Sequence, residues 1–332
     1  MCLDGPTFIS SEGWDWVPGV RDRNIGIWQD VRLLPTEGVT LGDARIVTDL
    51  PLPSTEYADL TVETTVSNTL EQDVLAVVKA VGNGISMEAK VRIPAGGSVP
   101  VSLKTRMDHP ALWMPNGYGE PNLYDLGLTC CVDGNVSDCQ ALRFGVREFT
   151  YELTADAPGC PDLRLAYDPA QGAIFNNRLL RSVGGGVEIP SLKEDVDLSR
   201  LSLLEPDAMA PYLVIRVNGV RIFCRGGNWG MDDMMKRVSR EHLEPYFRLH
   251  REAGFNMIRN WTGESTEEMF YTLCDEYGIL VWNDFWMSTE GYNLQPADEP
   301  LFMANVADVV RRFRNHPSIA AGYCHDACRR FF

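Results

Sequence analysis

The stretch from Pro211 to Tyr323 constrains this chain most, because strand-length apolar runs alternate there with helix-period segments. The runs are VRIFCRGGNWG, FNMIRNWTG, GILVWNDFW and PSIAAGY. Strands separated by amphipathic helices assemble into a parallel sheet, with the helices packed on it. The local signals agree. Asn218-Gly219 predicts a type I′ turn joining 212–217 to 220–224. The first strand of the series ends at Arg225-Gly226-Gly227-Asn228. Ser239 caps a helix over 240–253 whose stripe is Leu243, Tyr246, Phe247 and His250. Gly254 closes it, and 255–260 is the second strand. Ser265-Thr266-Glu267-Glu268 reads as a capping box for a helix burying Met269, Phe270, Leu273 and Tyr277 and ending at Gly278. The third strand is 279–284. A third helix over 300–314 aligns Phe302, Val306, Val309, Val310 and Phe313, Pro317 stops it, and Ser318 opens the fourth strand.

Four strands and three helices in this order begin a (β/α) barrel, whose functional side chains stand at the C-terminal strand ends. Those positions here carry Arg225, Asn228 and Trp229, then Arg259 and Trp261, then Asn283, Asp284 and Trp286. Arginines, amides and carboxylates can hydrogen-bond hydroxyl-rich ligands, and tryptophans offer flat faces for stacking. Core packing is the alternative for each tryptophan, and an ordinary salt bridge is the alternative for Arg259 and Asp284. His316, before Pro317 at a helix end, reads as a structural hydrogen-bonder rather than a base.

The rest of the chain is β-patterned. From Gly38 to Leu153, about seven segments alternate apolar and polar residues between Gly, Pro, Asn and Asp turns, as in an immunoglobulin-like sandwich. Its one unusual insert, 109–124, is rich in Trp, Pro and Gly and reads as packing at a domain junction. Residues 1–35 offer only two or three short strands, at 7–10 and 26–34, too few for a core of their own. The 156–210 stretch has weak periodicity and reads as a surface connection with a short hairpin; Gly184-Gly185-Gly186 does not match a dinucleotide fingerprint. The expected division is therefore 1–35, 36–155, 156–210 and 211–332.

Composition narrows the partners. A net charge of -16 argues against nucleic acid and anionic lipid, which need a basic surface. No apolar run reaches membrane-spanning length, and MCLDGPTFISSEGWDW lacks the features of a signal peptide, which leaves the location open. The nine cysteines include no CxxC pair and read as scattered thiols, with Cys224 and Cys274 in cores; neither a metal nor an organic cofactor is expected. Oligomeric state is not legible.

Taken together, GWDWVPGVRDRNIGIWQDVRL at 13–33, LWMPNGYGEPNLYDLGL at 112–128, FGVREFTYEL at 144–153, FCRGGNWGMDD at 223–233, FNMIRNW at 255–261, GILVWNDFW at 278–286 and FRNHPSIA at 313–320 resemble glycoside hydrolase family 2, in its β-mannosidase and exo-β-glucosaminidase branch. The resemblance implies the end of a sugar-binding jelly roll (1–35), an immunoglobulin-like sandwich and the first half of a TIM barrel. It also implies hydrolysis of terminal β-glycosidic bonds by a retaining mechanism, on an oligosaccharide or glycoside substrate. Such chemistry needs two carboxyl groups about 5–5.5 Å apart. In the family the acid/base is the glutamate of an Asn-Glu pair after the HPSI segment, and the nucleophile lies on the seventh strand. Aligned through Cys324, Ala327 and Cys328 fall where Asn and Glu would stand, Asp326 is the only nearby carboxylate, and no glutamate follows Glu299. The tail reads as a frame change, and no catalytic residue is assigned. A non-catalytic carbohydrate-binding or interaction module is the competing reading. A doubly wound dehydrogenase is disfavoured, because no strand leads into a GxGxxG turn.

Overall fold

The computed structural model describes residues 27–169, 172, 174–185, 187–205, 211–233, 235–285 and 298–323. The strands expected at 7–10, Trp286 and the tail from Cys324 lie outside the described residues. The described part of the segment expected as a strand at 26–34 forms no strand.

Eight strands make a two-sheet sandwich: β1 (Val39–Leu41), β2 (Arg45–Asp49), β3 (Tyr57–Asn68), β4 (Val74–Gly82), β5 (Ile85–Ile93), β6 (Ser98–Asp108), β7 (Tyr124–Val132) and β8 (Asn135–Phe144). One sheet runs β1-β3-β2 with β6 also on β3, and the other runs β5-β4-β7-β8. Their alternation points Leu60, Val62, Val66, Ala76, Val78, Leu126, Leu128 and Val101 into one shared core.

The next strand, β9 (Phe149–Ala157), was expected with the sandwich and belongs elsewhere. It joins a seven-stranded sheet with β10 (Cys160–Tyr167), β11 (Phe175–Gly184), β12 (Val187–Leu192), β13 (Ser202–Leu203), β14 (Leu213–Val217) and β15 (Val220–Ile222). Period-two alternation fixes which face a residue takes and not which sheet the strand joins. The same sheet corrects the reading of 156–210 as a connection: four of its strands come from that stretch. A small core of Ala155, Ala157, Leu165, Tyr167 and Leu192 holds them. The hairpin of β14 and β15 turns at Asn218 (φ 51) and Gly219 (φ 79), both left-handed as a type I′ turn requires.

The last sheet is parallel, in the order β16 (Gly226–Trp229), β17 (Met257–Asn260), β18 (Leu280–Asp284), β19 (Ile319–Tyr323). The helices α1 (Arg240–Glu252), α2 (Glu268–Tyr277) and α3 (Glu299–Phe313) connect its strands. Ser239 caps α1 through its hydroxyl, and Asp298 caps α3. The expected capping box of α2 is not formed. The helix is capped by Glu267 without a side-chain bond, because Ser265 is buried and its hydroxyl accepts the Trp229 indole N–H. Leu243, Phe247, Phe270, Leu273, Ile258 and Val281 form the helix–sheet core. At the N-terminal ends of the strands, Met257, Leu280 and Ala320 instead pack on Trp113 and on the β14–β15 hairpin.

Trp113 lies in the 109–124 insert and is fully buried, and its indole N–H donates to the Asp275 carbonyl at 2.9 Å. The insert is therefore a joint between the sandwich and the parallel sheet. Among the described cysteines all are free; Cys274 is in the core as expected, whereas Cys224, beyond the end of β15, is exposed. Among the described residues no helix is long and apolar enough to cross a membrane.

Candidate functional site

Strand register decides which of the expected residues meet. Asn228 pairs with Arg259, and Arg259 with Trp282, so these three side chains leave one face of the parallel sheet at its C-terminal end. Asp284, two residues beyond Trp282, joins them. Its carboxylate takes Arg259 Nη2 at 2.8 Å and Nε at 3.0 Å, a two-pronged pair with Asp284 5% and Arg259 30% exposed. On the same face the N-terminal ends carry apolar Met257 and Leu280. The result is an apolar floor with a charged rim. Trp261 stands half-buried in the short turn Trp261–Gly263 directly after β17.

The other expected residues go elsewhere. Asn283 alternates to the helix side and is buried there. Its Oδ1 accepts from Asn260 Nδ2 and from the Tyr271 hydroxyl, each at 2.8 Å, and its own amide donates to the Asp284 carbonyl. Trp229 also turns to the helices, where it packs between Phe247 and Phe270 with 8% exposure. Both are supports behind the face rather than contacts on it. Arg225 precedes β16, and its guanidinium lies beside Gly117 and Gly254, at the opposite end of the strands. The expectation placed these residues by sequence distance from a strand end. Side-chain alternation sends neighbours to opposite faces, and the strand begins one residue after Arg225.

Trp282 was missed, though its i, i+2 spacing to Asp284 was the available signal. So was a buried pair of carboxylates after β17, Glu264 and Glu267, which no spacing rule singles out. Behind the sheet, His316 donates from Nδ1 to Asp275 at 2.6 Å and from Nε2 to Glu268 at 2.9 Å. Two carboxylates on two ring nitrogens require the imidazolium. Burial alone would lower its pKa, but Asp275 and Glu268 raise it to about 9. A cavity of about 390 Å³ beside it, between β8 and the helices α2 and α3, is lined by Arg143, Arg312 and Asn315 and lies away from the Arg259–Asp284 face. Among the described residues no three His, Cys, Asp or Glu side chains group as metal ligands.

Comparison with known proteins gives a consistent picture. The sequence profile described as "Glycosyl hydrolases family 2" matches residues 33–147. A mannosylglycoprotein endo-beta-mannosidase of Lilium longiflorum is 28% identical over 329 residues, covering 93% of this chain and 29% of that protein. An exo-beta-D-glucosaminidase of Streptomyces avermitilis is 27% identical, covering 93% of this chain and 30% of that protein. Among solved structures, an exo-chitosanase of Amycolatopsis orientalis superposes with a TM-score of 0.62 at 21% identity, covering 86% of this chain and 28% of that one. A beta-D-mannosidase from Dictyoglomus thermophilum gives 0.55 at 25% identity, covering 83% and 29%. The chain thus spans under a third of the length of these relatives.

Proposed function

We infer, on the premise that the chain belongs to the family 2 glycosyl hydrolases, that it forms part of an enzyme hydrolysing terminal β-mannosides or β-glucosaminides by a retaining mechanism. The observation that carries this is the Arg259–Asp284 pair beside Asn228, on one face at the C-terminal ends of parallel strands. That is where a barrel enzyme gathers its chemistry.

On this reading the parallel sheet is the first half of a TIM barrel and the two-sheet unit is the immunoglobulin-like sandwich. Asp284 and Asn228 accept and donate to sugar hydroxyls, Arg259 fixes the Asp284 carboxylate, and Trp261 flanks the ring. Trp229 and Asn283 hold the strand ends in place from behind.

Retention needs a general acid/base and a nucleophile. The 332 residues place no glutamate after Glu299, so the isolated chain is expected to leave substrate intact. Incubation with aryl β-mannoside and aryl β-glucosaminide should release no phenol above a blank, and enzyme-like release would overturn the proposal that these residues lack the catalytic pair.

The competing reading, a sugar-binding module without turnover, is favoured by that same lack of a carboxyl pair. Turnover separates the two readings, and calorimetry with mannose and glucosamine tests the face they share. Saturable binding lost in Asp284→Ala places the sugar on this face in either case. Binding unaffected by Asp284→Ala removes the face from both readings.

A further inference from the structure

The two carboxylates after β17 lie outside the Arg259–Asp284 face and have a surrounding of their own. Glu264 is 1% exposed, and its Oε2 accepts the Met231 N–H at 3.0 Å. Glu267 is 4% exposed; local backbone N–H groups and the Ser265 hydroxyl hydrogen-bond its carboxyl, while its Oε2 has no partner among the described residues. The cation facing both is Lys236, which reaches them from the loop after β16 with a left-handed backbone (φ 54) that a lysine rarely adopts. Its Nζ is 3.8 Å from Met231 Sδ and 5.0 Å from the centre of the Trp28 ring.

Trp28 and Gln29 roof this cluster. Gln29 Nε2 donates to the Thr266 carbonyl at 3.1 Å and to its hydroxyl at 3.2 Å, and Gln29 Oε1 accepts from Arg312 of α3 at 3.1 Å. The residue gripped by Gln29 is thus the immediate neighbour of Glu267. Burial raises Glu267 to about 7, against the opposing pull of its hydrogen bonds and Lys236, and burial lowers Lys236. Among the described residues, Tyr271 and Cys274 of α2 also feel Glu267, and burial raises both and keeps them neutral, while Glu264 of the same turn faces the shared Lys236.

We propose that Glu267 and Lys236 form a proton-operated latch for the 28–29 segment. With Glu267 protonated, the ammonium stays on the Trp28 indole and the segment is held against the turn after β17. When Glu267 releases its proton to solvent, the ammonium is drawn to the new carboxylate and leaves the indole. The segment then keeps only its Gln29 bonds and loosens. A cation over an indole is a weak contact beside a charge pair at a desolvated site, so the direction of the exchange is fixed.

Hydrogen exchange of the 332-residue chain followed by mass spectrometry, from about pH 5 to pH 9, tests this. Peptides covering residues 27–33 should gain protection as pH falls through neutrality, by roughly threefold or more beyond the intrinsic base-catalysed change. Glu267→Gln should abolish that extra step and stay protected throughout. Trp28→Phe, which leaves the buried cluster intact, should weaken protection at low pH, and Lys236→Met, which removes the ammonium, should abolish the step and leave protection low throughout. No extra step in the wild-type chain overturns the latch, as does an unchanged step in Glu267→Gln with a wild-type far-ultraviolet spectrum. If Glu267→Gln fails to fold, a step that persists in Lys236→Met overturns it instead.

Discussion

At the scale of single residues, the imidazolium of His316 is the clearest electrostatic commitment. Its pKa is raised from 6.5 to about 9, so the folded state binds the proton more tightly than the unfolded chain. The stabilisation is complete below the unfolded value and is lost as pH rises through the folded one. His316→Gln should therefore cost about 2–3 kcal/mol near pH 6 and much less at pH 10, by urea denaturation at each pH. Glu267 has the same sign of pH dependence, here because burial penalises its charged form. Its carboxyl is raised from 4.5 to about 7, so its burial favours the fold less and less as pH climbs from the lower value to the higher. Glu267→Gln should leave stability nearly unchanged at pH 4 and gain of order 1–3 kcal/mol at pH 8, in the same assay. Asp284→Asn keeps the shape of the rim but removes the charge facing Arg259. With Arg259 partly open to solvent the loss should be about 1–3 kcal/mol, and Arg259→Leu combined with it should cost less than the sum of the two.

At the scale of elements, the helices were readable because their signals are local. Ser239 caps, Gly278 closes, and stripes such as Leu243 with Phe247 mark the buried side. The parallel strands were readable as well, since runs such as Ile279–Leu280–Val281 leave no polar face. Two things were not. Register shifts break the pairing of β10 with β9 and of β11 with β12, so their alternation never accumulates. The helix side of the site was hidden because Asn283 beside Asp284 reads as two polar residues at one strand end, while the pleat sends them to opposite faces. The joint at Trp113 was legible in kind, as buried aromatic packing, but its hydrogen bond to α2 was not. Trp113→Ala removes both, and a loss of about 3–5 kcal/mol is expected by chemical denaturation.

At the scale of the molecule, polar bonds stitch the sandwich to the parallel sheet. Asn315 Oδ1 accepts from the Ile46 N–H at 2.9 Å, its Nδ2 donates to the Ala44 carbonyl at 2.8 Å, and Arg314 reaches the Asp43 carbonyl at 2.8 Å. With Trp113 between them, sandwich and sheet should unfold together, and calorimetry of the chain should show one endotherm for both. Asn315→Ala strands two backbone groups at the seam and should separate that peak into two.

Gly226 opens β16 so close to its neighbour that a built Cβ would fall 1.7 Å from the Met257 carbonyl oxygen. That distance is less than half of ordinary van der Waals contact, and the obstacle is main chain, which cannot swing aside. If codon 226 were randomised and the library sorted for soluble product, every surviving clone should encode the one amino acid without a side chain.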